Sequence, residues 1–211
     1  GKHARNRILP ALFSTKKLSL IGVCSRSKKR VTEISQKWNC TGWTDPDEML
    51  KNKNINVVYI ATPIGVHFDM VMQALEAGKN VWCEKPLTCN YEDTKKLVKV
   101  ARNRKKMLAE AFMYLYHPQF YKIKKLVNDN ETGQINSIIC RFGMPILQDP
   151  GFRLDPNLGG GAFWDVASYP ISAVVALFPD QHIKILFSEI YKKIDYPVDT
   201  DGRALLRFAK G

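Results

Sequence analysis

Two short segments carry side chains that could stabilise a charge or move a proton. In NVWCEKPLT, an apolar run typical of a buried strand ends at Glu84, Lys85 and Pro86. In LGGGAFWDVASYP, three glycines precede Asp165 and Tyr169, whose i, i+4 spacing places both side chains on one face of a helix. A lysine can stabilise negative charge on a reacting oxygen, and a nearby cation lowers the pKa of a tyrosine. We therefore predict a proton-handling cluster, although Asp165 alone could be a helix cap and Tyr169 a core aromatic.

Two other segments have the residue types of a dinucleotide site. Gly1 and Ala4 in GKHA have the spacing of the last two small residues of a GxGxxA fingerprint. In VCSRSKKR, Ser25, Arg26 and Ser27 follow a predicted strand, at the position where an NAD site usually has a carboxylate. Arginine and hydroxyl groups instead accommodate a 2′-phosphate, so we expect NADP(H) in preference to NAD(H). The alternative for this segment is an ordinary solvated loop.

The segment IATPIGVHF combines small residues with the end of a predicted strand. A flat cofactor ring can lie close to the main chain there, so Ala61, Thr62 and Pro63 are candidate cofactor-binding residues. His67 falls in the first turn of the following helix. A lone histidine in such a place is more often a cap or packing residue than a catalyst, and we include His67 in the cofactor site in that supporting role.

The elements that must position these residues alternate between short apolar runs and segments of helical period. Such alternation predicts a doubly wound parallel (Rossmann) sheet, with ligands at the carboxyl ends of its strands. Lys85 follows one of those ends directly. The predicted strands are residues 17–24, 55–61, 79–83 and 106–112, and the predicted helices are residues 27–39, 65–77 and 91–104.

Beyond Phe112 the pattern changes to that of an α+β domain with a mostly antiparallel open sheet. We place the domain boundary there, which assigns residues 1–112 to a dinucleotide-binding domain and residues 113–211 to a substrate-binding and dimerisation domain. The predicted elements are helices 117–130 and 165–178, strands 135–144, 182–190 and 203–209, and a Gly/Pro/Asp-rich loop over residues 145–161.

The composition favours a globular cytoplasmic protein. The 211 residues are 45% hydrophobic, and no apolar run is long enough for a membrane span. Five scattered cysteines without metal-ligand spacing indicate reduced thiols and no metal site. The net charge of +12 could suit a nucleic acid, but the basic residues are interspersed with acidic and apolar ones, which favours no nucleic-acid partner.

Taken together, the motifs resemble the glucose-fructose oxidoreductase/inositol dehydrogenase family. ATPxxxH, AGKNVWCEKPLT, AEAFMYLYHPQ and RLDPNLGGGAFWDVASYP occur in the family's order across essentially the whole chain. Tyr169 in place of the more widespread histidine is similar to the branch with xylose dehydrogenase, dihydrodiol dehydrogenase and deoxysugar ketoreductases. Leu115 departs from that branch's usual arginine, and Ala167-Ser168 from its Gly-Cys.

The resemblance implies an NAD(P)-dependent oxidoreductase acting on the CH–OH or C=O group of a sugar, sugar derivative or cyclic polyol. It implies Tyr169 as proton donor or acceptor, Lys85 as its electrostatic partner and a cofactor contact, and Asp165 as the residue that orients the substrate. Glu84 would be the ribose-binding carboxylate, and Gly1 the second glycine of the fingerprint. A non-catalytic nucleotide- or sugar-binding regulator of the same fold is the alternative.

The resemblance also predicts that the chain is a fragment, truncated at both ends. The chain would begin inside the fingerprint, so that the central first strand is missing, and would stop before the second sheet is complete. The family further implies a homo-oligomer formed through the sheet of the second domain.

Overall fold

The computed structural model describes residues 1–145, 147–179 and 181–208. These residues form two compact units, each assembled from several stretches of the chain. The first unit comprises Gly1–Thr62, His67–Glu84 and Tyr91–Ala109, and the second comprises Pro63–Val66, Lys85–Asn90 and residues from Glu110 onward.

The first unit is an α/β structure built from short parallel strands and the helices between them. β1 pairs with β2, and a separate sheet has the order β3-β4-β5, in which β3 and β4 are parallel. The predicted Rossmann-type fold class is confirmed. The elements are α1 (Leu9–Ser14), β1 (Gly22–Cys24), α2 (Lys28–Trp38), β2 (Thr41–Trp43), α3 (Pro46–Leu50), β3 (Val57–Ile60), α4 (His67–Glu76), β4 (Asn80–Cys83), α5 (Tyr91–Asn103) and β5 (Leu108–Glu110).

Apolar side chains at helical and strand spacing build the core of this unit. Val71 and Leu75 of α4 are fully buried, as are Val81 of β4 and Leu97 of α5. Burying these side chains removes apolar surface from water, which is the main contribution to the stability of the unit. Gly78 ends α4 in the left-handed conformation, with φ of +75°, as its position after the helix predicts.

The second unit combines helices with an antiparallel sheet. Its helices are α6 (Pro118–Asn128) and α7 (Ser168–Leu177), and its sheet pairs β6 (Ile183–Tyr191) with β7 (Asp201–Phe208). A π-helical turn, Phe163–Ala167, leads into α7. Its first N–H groups are capped by Asp199, which accepts from Phe163 N at 2.6 Å through Oδ2 and from Ala162 N at 3.0 Å through its main-chain oxygen.

Gly161 is required at the start of this helix. Its φ is +116°, and a Cβ placed there would lie 2.1 Å from Asp199 Oδ1. Only glycine therefore allows the carboxylate of Asp199 to approach and cap the helix.

Two predicted strands differ from the structure. Residues 135–144 are neither helix nor strand, because they pair with no neighbouring strand within the described part of the chain, and an apolar run becomes a strand only when its main chain has a ladder partner. Of residues 17–24 only the last three form β1, where β2 supplies the partner. β2 itself was not predicted, since TGW is short and contains a glycine.

Among the described helices, none combines the length and the apolar character that crossing a membrane requires.

Candidate active site and cofactor site

Lys85 and Asp165 form a shielded ion pair in the second unit. Lys85 Nζ donates to Asp165 Oδ1 at 3.0 Å and to the main-chain oxygen of Asp165 at 2.5 Å. The side chains are 9% and 11% exposed. With so little water around them, the two charges interact more strongly than a surface pair would. The π-helical turn presents both acceptor atoms of Asp165 to the same amine, which fixes the position of Lys85 Nζ.

Arg153 holds the other oxygen of the same carboxylate. Its Nε donates to Asp165 Oδ2 at 2.6 Å, and its side chain is 36% exposed. Within the described residues, the terminal amino groups of Arg153 make no hydrogen bond, and the guanidinium carbon lies 5.1 Å from the centre of the Phe152 ring. One carboxylate therefore lies between two cations, so the cluster keeps a net positive charge.

Tyr169 lies one helical turn beyond Asp165 and packs against Lys85. Lys85 Nζ is 4.6 Å from the centre of the Tyr169 ring, a cation–π distance. The Tyr169 hydroxyl donates to Met113 Sδ at 3.8 Å, and a thioether is a weak acceptor that a substrate oxygen could replace. The ring stacks on Phe142 at 4.8 Å and meets the edge of Phe112 at 5.9 Å. Packing thus orients the ring while its hydroxyl keeps an exchangeable partner.

The carboxyl group of Glu110 supports the segment that carries Lys85. Glu110 accepts a hydrogen bond from Leu87 N at 2.7 Å, two residues beyond Lys85. Burial raises the pKa of the Glu110 carboxyl, although the Leu87 N–H and the charge of Lys85 act in the opposite direction. The Lys85–Pro86 peptide bond is cis. The hydrogen bond between Leu87 N and Glu110 anchors the main chain just after Lys85.

Ser172 and Tyr114 anchor the helix that carries Tyr169. Ser172 Oγ donates to the main-chain oxygen of Tyr169 at 2.9 Å, and Tyr114 Oη lies 2.7 Å from Ser172 Oγ. Because the Ser172 proton is used on Tyr169, Tyr114 is the donor in the second bond. Burial raises the pKa of Tyr114, which keeps its hydroxyl protonated in that role.

Two glycines allow the glycine-rich loop to pack closely in this unit. A Cβ on Gly65 would lie 2.6 Å from the main-chain oxygen of Asn157, and one on Gly159 would lie 2.9 Å from Cys89 Sγ. Gly159 also has φ of +74°, which side chains rarely adopt. Within the run of three glycines, Gly159 therefore serves a close contact and Gly161 the helix start.

In the first unit, the predicted 2′-phosphate segment lies at the start of α2. Ser27 caps this helix by accepting from Arg30 N at 3.4 Å, and Ser25 Oγ accepts from Ser27 N at 3.4 Å. Both hydroxyl hydrogens therefore stay available to donate to an anion. Arg26 is exposed and forms no ion pair within the described residues. An anion here would also meet the positive end of the α2 dipole.

The end of β3 offers a second group of predicted residues. Thr62 Oγ1 is buried and has no hydrogen-bond partner in the described part of the chain, so it could donate to a bound ligand. His67 is fully buried, and its Nε2 lies 3.0 Å from the main-chain oxygen of Thr62. A Cβ on Gly1 would lie 3.3 Å from the oxygen of Ala61, so this close approach favours a glycine. These residues fit a dinucleotide, with His67 supporting the turn.

The other predicted cofactor residues, Ala4, Pro63 and Glu84, lie in three separate segments of the structure. Ala4 begins a π-helical turn, Ala4–Ile8, that follows Gly1. Pro63 belongs to the second unit, whereas Glu84 belongs to the first. Glu84 Oε1 accepts from the Tyr59 hydroxyl in β3 and lies 3.5 Å from His3 Nε2.

Arg153 and Tyr59 are functional candidates that sequence reasoning missed. Arg153 lies 12 residues before Asp165 in a short 3-10 turn, Gly151–Leu154, and Tyr59 lies 25 residues before Glu84 inside an apolar strand. Neither spacing matches a helical or strand period. The available signals were a single arginine inside RLDPNLGGGAFWDVASYP and a single tyrosine directly before IATPIGVHF.

Comparison with known proteins assigns both parts of the chain. Residues 1–112 match the profile of the "Oxidoreductase family, NAD-binding Rossmann fold", and residues 120–211 match that of the "GFO/IDH/MocA C-terminal domain".

Curated relatives include reductases and dehydrogenases of sugars. The chain is 30% identical to dTDP-3,4-didehydro-2,6-dideoxy-alpha-D-glucose 3-reductase from Saccharopolyspora spinosa over 99% of its own length and 62% of that protein's. It is 34% identical to D-xylose 1-dehydrogenase (NADP(+)) from Hypocrea jecorina over 71% of the chain and 42% of that enzyme. The chain thus spans about three-fifths of the length of the first of these relatives.

A solved 3-ketoreductase from Actinomadura kijaniata, in complex with NADP and TDP-benzene, has the same fold. Its TM-score is 0.92 at 29% identity, covering 100% of this chain and 65% of that one. Structures of the same enzyme include variants with one tyrosine replaced by phenylalanine and one lysine replaced by alanine. The two replaced positions are separated along that chain by as many residues as Lys85 and Tyr169 are in this one.

Proposed function

The chain belongs to the oxidoreductase family with an NAD-binding Rossmann fold, and from this premise we propose that it acts in hydride transfer between NADP(H) and the CH–OH or C=O group of a sugar, sugar derivative or cyclic polyol. The observation that carries the proposal is the buried amine of Lys85, bound to Asp165 and seated over the ring of Tyr169. The relatives' names support a sugar substrate, and the matched separation of the replaced lysine and tyrosine in the ketoreductase supports the two residues.

The side chains of the cluster have separate roles in this proposal. When bound, the nicotinamide ring supplies or accepts the hydride. In the direction of reduction, the Tyr169 hydroxyl donates a proton to the carbonyl oxygen, and the resulting tyrosinate regains a proton from water. The charge of Lys85 stabilises both the negative oxygen of the substrate and the tyrosinate. In the direction of oxidation, the same groups act in reverse.

Asp165 orients the cluster. Both of its oxygens already accept hydrogen bonds, from Lys85 and from Arg153. Each oxygen retains a further acceptor position, so a substrate hydroxyl can still bind there. We propose that Asp165 acts mainly by holding Lys85 Nζ over Tyr169 and also contacts a substrate hydroxyl.

Arg153→Ala should lower kcat about tenfold, since a hydrogen bond to a charged group contributes about 1.5–3 kcal/mol and partial exposure of Arg153 reduces that contribution. Losing Arg153 frees one oxygen of Asp165, and the carboxylate can then turn away from Lys85. Arg153→Lys should recover part of the rate, because an amine still supplies a charged donor. Steady-state kinetics of both variants measure the effect, with Arg102→Ala on the exposed face of α5 as the control. An unchanged kcat in Arg153→Ala would show that Lys85 alone positions the carboxylate.

The cofactor site supports NADP(H) over NAD(H). Arg26 supplies an exposed guanidinium, and Ser25 and Ser27 supply hydroxyl donors at the start of α2. A 2′-phosphate can pair with the planar guanidinium. VCSRSKKR contains no carboxylate that could bind the free 2′-hydroxyl of NAD. Glu84 and Thr62 of the first unit are proposed to contact the remainder of the cofactor.

Arg26→Ala should reduce the preference for NADP(H) by roughly tenfold to a hundredfold, the value of one charge-assisted hydrogen bond. The measurement is kcat/KM for NADPH and for NADH with wild type and variant. The loss should fall on NADPH, with the NADH value almost unchanged. Arg102→Ala serves as the matched surface control. A wild type that prefers NADH, or a variant with an unaltered ratio, would remove this assignment.

Further properties follow from the same proposal. Exposed apolar side chains on β6 and β7, including Ile185, Phe187 and Leu205, support a homo-oligomer that covers this sheet. Five free cysteines support a reducing compartment, for which we propose the cytoplasm. We also propose that the domain boundary lies near Phe112, with cofactor binding before it and substrate binding after it.

A substrate panel tests the proposed function. The protein is incubated with NADPH and with nucleotide-linked keto-sugars, free keto-sugars and cyclic ketones, and absorbance of NADPH is followed. Turnover with at least one sugar ketone is expected. Tight NADPH binding without turnover of any member of the panel would instead indicate a nucleotide-binding regulator.

A further inference from the structure

The carboxylate of Glu84 is oriented by a neighbouring strand. The main-chain N–H of Glu84 donates to Ile60 O at 2.9 Å and extends the pairing of β4 with β3 beyond the strand end. The residue before Ile60 is Tyr59, and its hydroxyl donates to Glu84 Oε1. The Tyr59 ring packs on Trp82 with centroids 5.1 Å apart, which fixes the ring's position. Glu84 therefore has both its main chain and its carboxylate held by β3.

Tyr59 keeps its phenolic proton and is the donor in its hydrogen bond to Glu84. Burial raises the pKa of Tyr59, and the hydrogen bond to Glu84 and the nearby negative charge raise it further. The phenol therefore stays protonated at neutral pH. A hydroxyl has one hydrogen to donate, and that of Tyr59 is committed to the carboxylate. The Glu84 side chain is 16% exposed, so water competes weakly for this bond.

Tyr59 and His3 both approach the same oxygen of the Glu84 carboxylate. Tyr59 donates to Oε1, and His3 Nε2 lies 3.5 Å from the same atom. Within the described residues, Oε2 of Glu84 accepts no hydrogen bond. A carboxylate fixed through one oxygen presents the other in a defined direction, which suits a pair of adjacent hydroxyl groups such as those of a ribose.

We propose that Tyr59 is a positioning residue for cofactor binding: it fixes Glu84 so that the second carboxylate oxygen binds the hydroxyls of the nicotinamide-bearing ribose. This inference rests on the proposed function. The nicotinamide half of the cofactor is the relevant one because Lys85, which acts on the reacting oxygen, is the next residue after Glu84. Tyr59 makes no contact with the cofactor in this account and acts through Glu84 alone.

Fluorescence titration with NADPH tests the inference by binding. Tyr59→Phe keeps the ring against Trp82 and should raise the Kd of NADPH about tenfold, the value of a hydrogen bond to a charged group. The Kd of 2′,5′-ADP, which lacks the nicotinamide ribose, should stay unchanged. Tyr91→Phe, at a site 73% exposed on α5, is the matched control and should bind both ligands as wild type does. His3→Gln should change the NADPH Kd less than about twofold, because exposed, distant charge pairs contribute little.

A double-mutant cycle separates positioning from a general structural effect. In a Glu84→Ala background, adding Tyr59→Phe should cause no further loss of NADPH affinity, because the group that Tyr59 orients is absent. The inference would be overturned if Tyr59→Phe bound NADPH as tightly as wild type does. It would also be overturned if Tyr59→Phe lost as much NADPH affinity in the Glu84→Ala background as in wild type, or if it weakened 2′,5′-ADP binding as much as NADPH binding. Failure of wild type to bind NADPH would overturn the proposed function and this inference with it. Glu84→Leu, which has a similar size and no hydrogen-bond acceptor, repeats the cycle if the alanine variant does not fold.

Discussion

Replacing Tyr169 by phenylalanine should lower kcat by about 10²–10⁴-fold, the usual contribution of a positioned acid or base. The variant keeps the ring that stacks on Phe142 and lies under Lys85 and loses only the hydroxyl. Proton transfer to the substrate oxygen must then come from water. Steady-state kinetics against pH provide the measurement, and the profile of kcat should lose the limb that reports the tyrosine.

The Tyr169→Phe experiment has a matched control in the same unit. Tyr121 on α6 is 55% exposed, and Tyr121→Phe should leave both kcat and its pH profile unchanged. The thermal midpoint of Tyr169→Phe should stay close to that of wild type, because the aromatic contacts are retained. A variant that kept the wild-type rate and pH profile would assign the proton transfer to Lys85 or to a water molecule.

Lys85→Met should lower kcat by about 10²–10³-fold, as the loss of one group that stabilises developing charge typically does. Methionine has a similar length without the amine, so the site loses the charge over Tyr169 and the donor to Asp165. Asp165 keeps its bond to Arg153, which limits the cost of leaving a buried carboxylate. The measurement is single-turnover oxidation of NADPH with a saturating substrate.

Binding measurements distinguish the role proposed for Lys85 from a role in holding the cofactor. The Kd of NADPH for Lys85→Met should stay within about threefold of wild type, because the charge acts mainly in the transition state. Lys122→Met, on the exposed surface of α6, is the control for loss of a lysine. A kcat within about threefold of wild type would contradict the catalytic assignment of Lys85, whatever its effect on binding.

The candidate cluster was predictable because its members occur in short motifs. Asp165 and Tyr169 are one helical turn apart, and the structure places both at Lys85, as the i, i+4 spacing predicts. Lys85 follows a strand end, where ligands of parallel sheets bind. The roles of these residues remain predictions. The helix start was predicted less well, because Asp199 caps it rather than Asp165.

Contacts between distant segments were beyond sequence reasoning. Arg153 reaches Asp165 from a separate 3-10 turn, and Tyr59 reaches Glu84 from the neighbouring strand, so neither pair has a local spacing to reveal it. The strand predicted over residues 135–144 was wrong for a related reason. A strand depends on a ladder partner elsewhere in the chain, and an apolar run cannot show whether that partner is present.

Deuterium transfer tests directly whether Lys85 and Tyr169 serve hydride transfer from NADPH to a sugar carbonyl. NADPH with deuterium on the transferable position of C4 is incubated with the protein and a sugar ketone, and the product is examined by mass spectrometry and NMR. We expect wild type to place one deuterium on the former carbonyl carbon, and we expect this transfer to be strongly reduced in Lys85→Met and Tyr169→Phe. A product without deuterium, or equal transfer by all three proteins, would contradict this expectation.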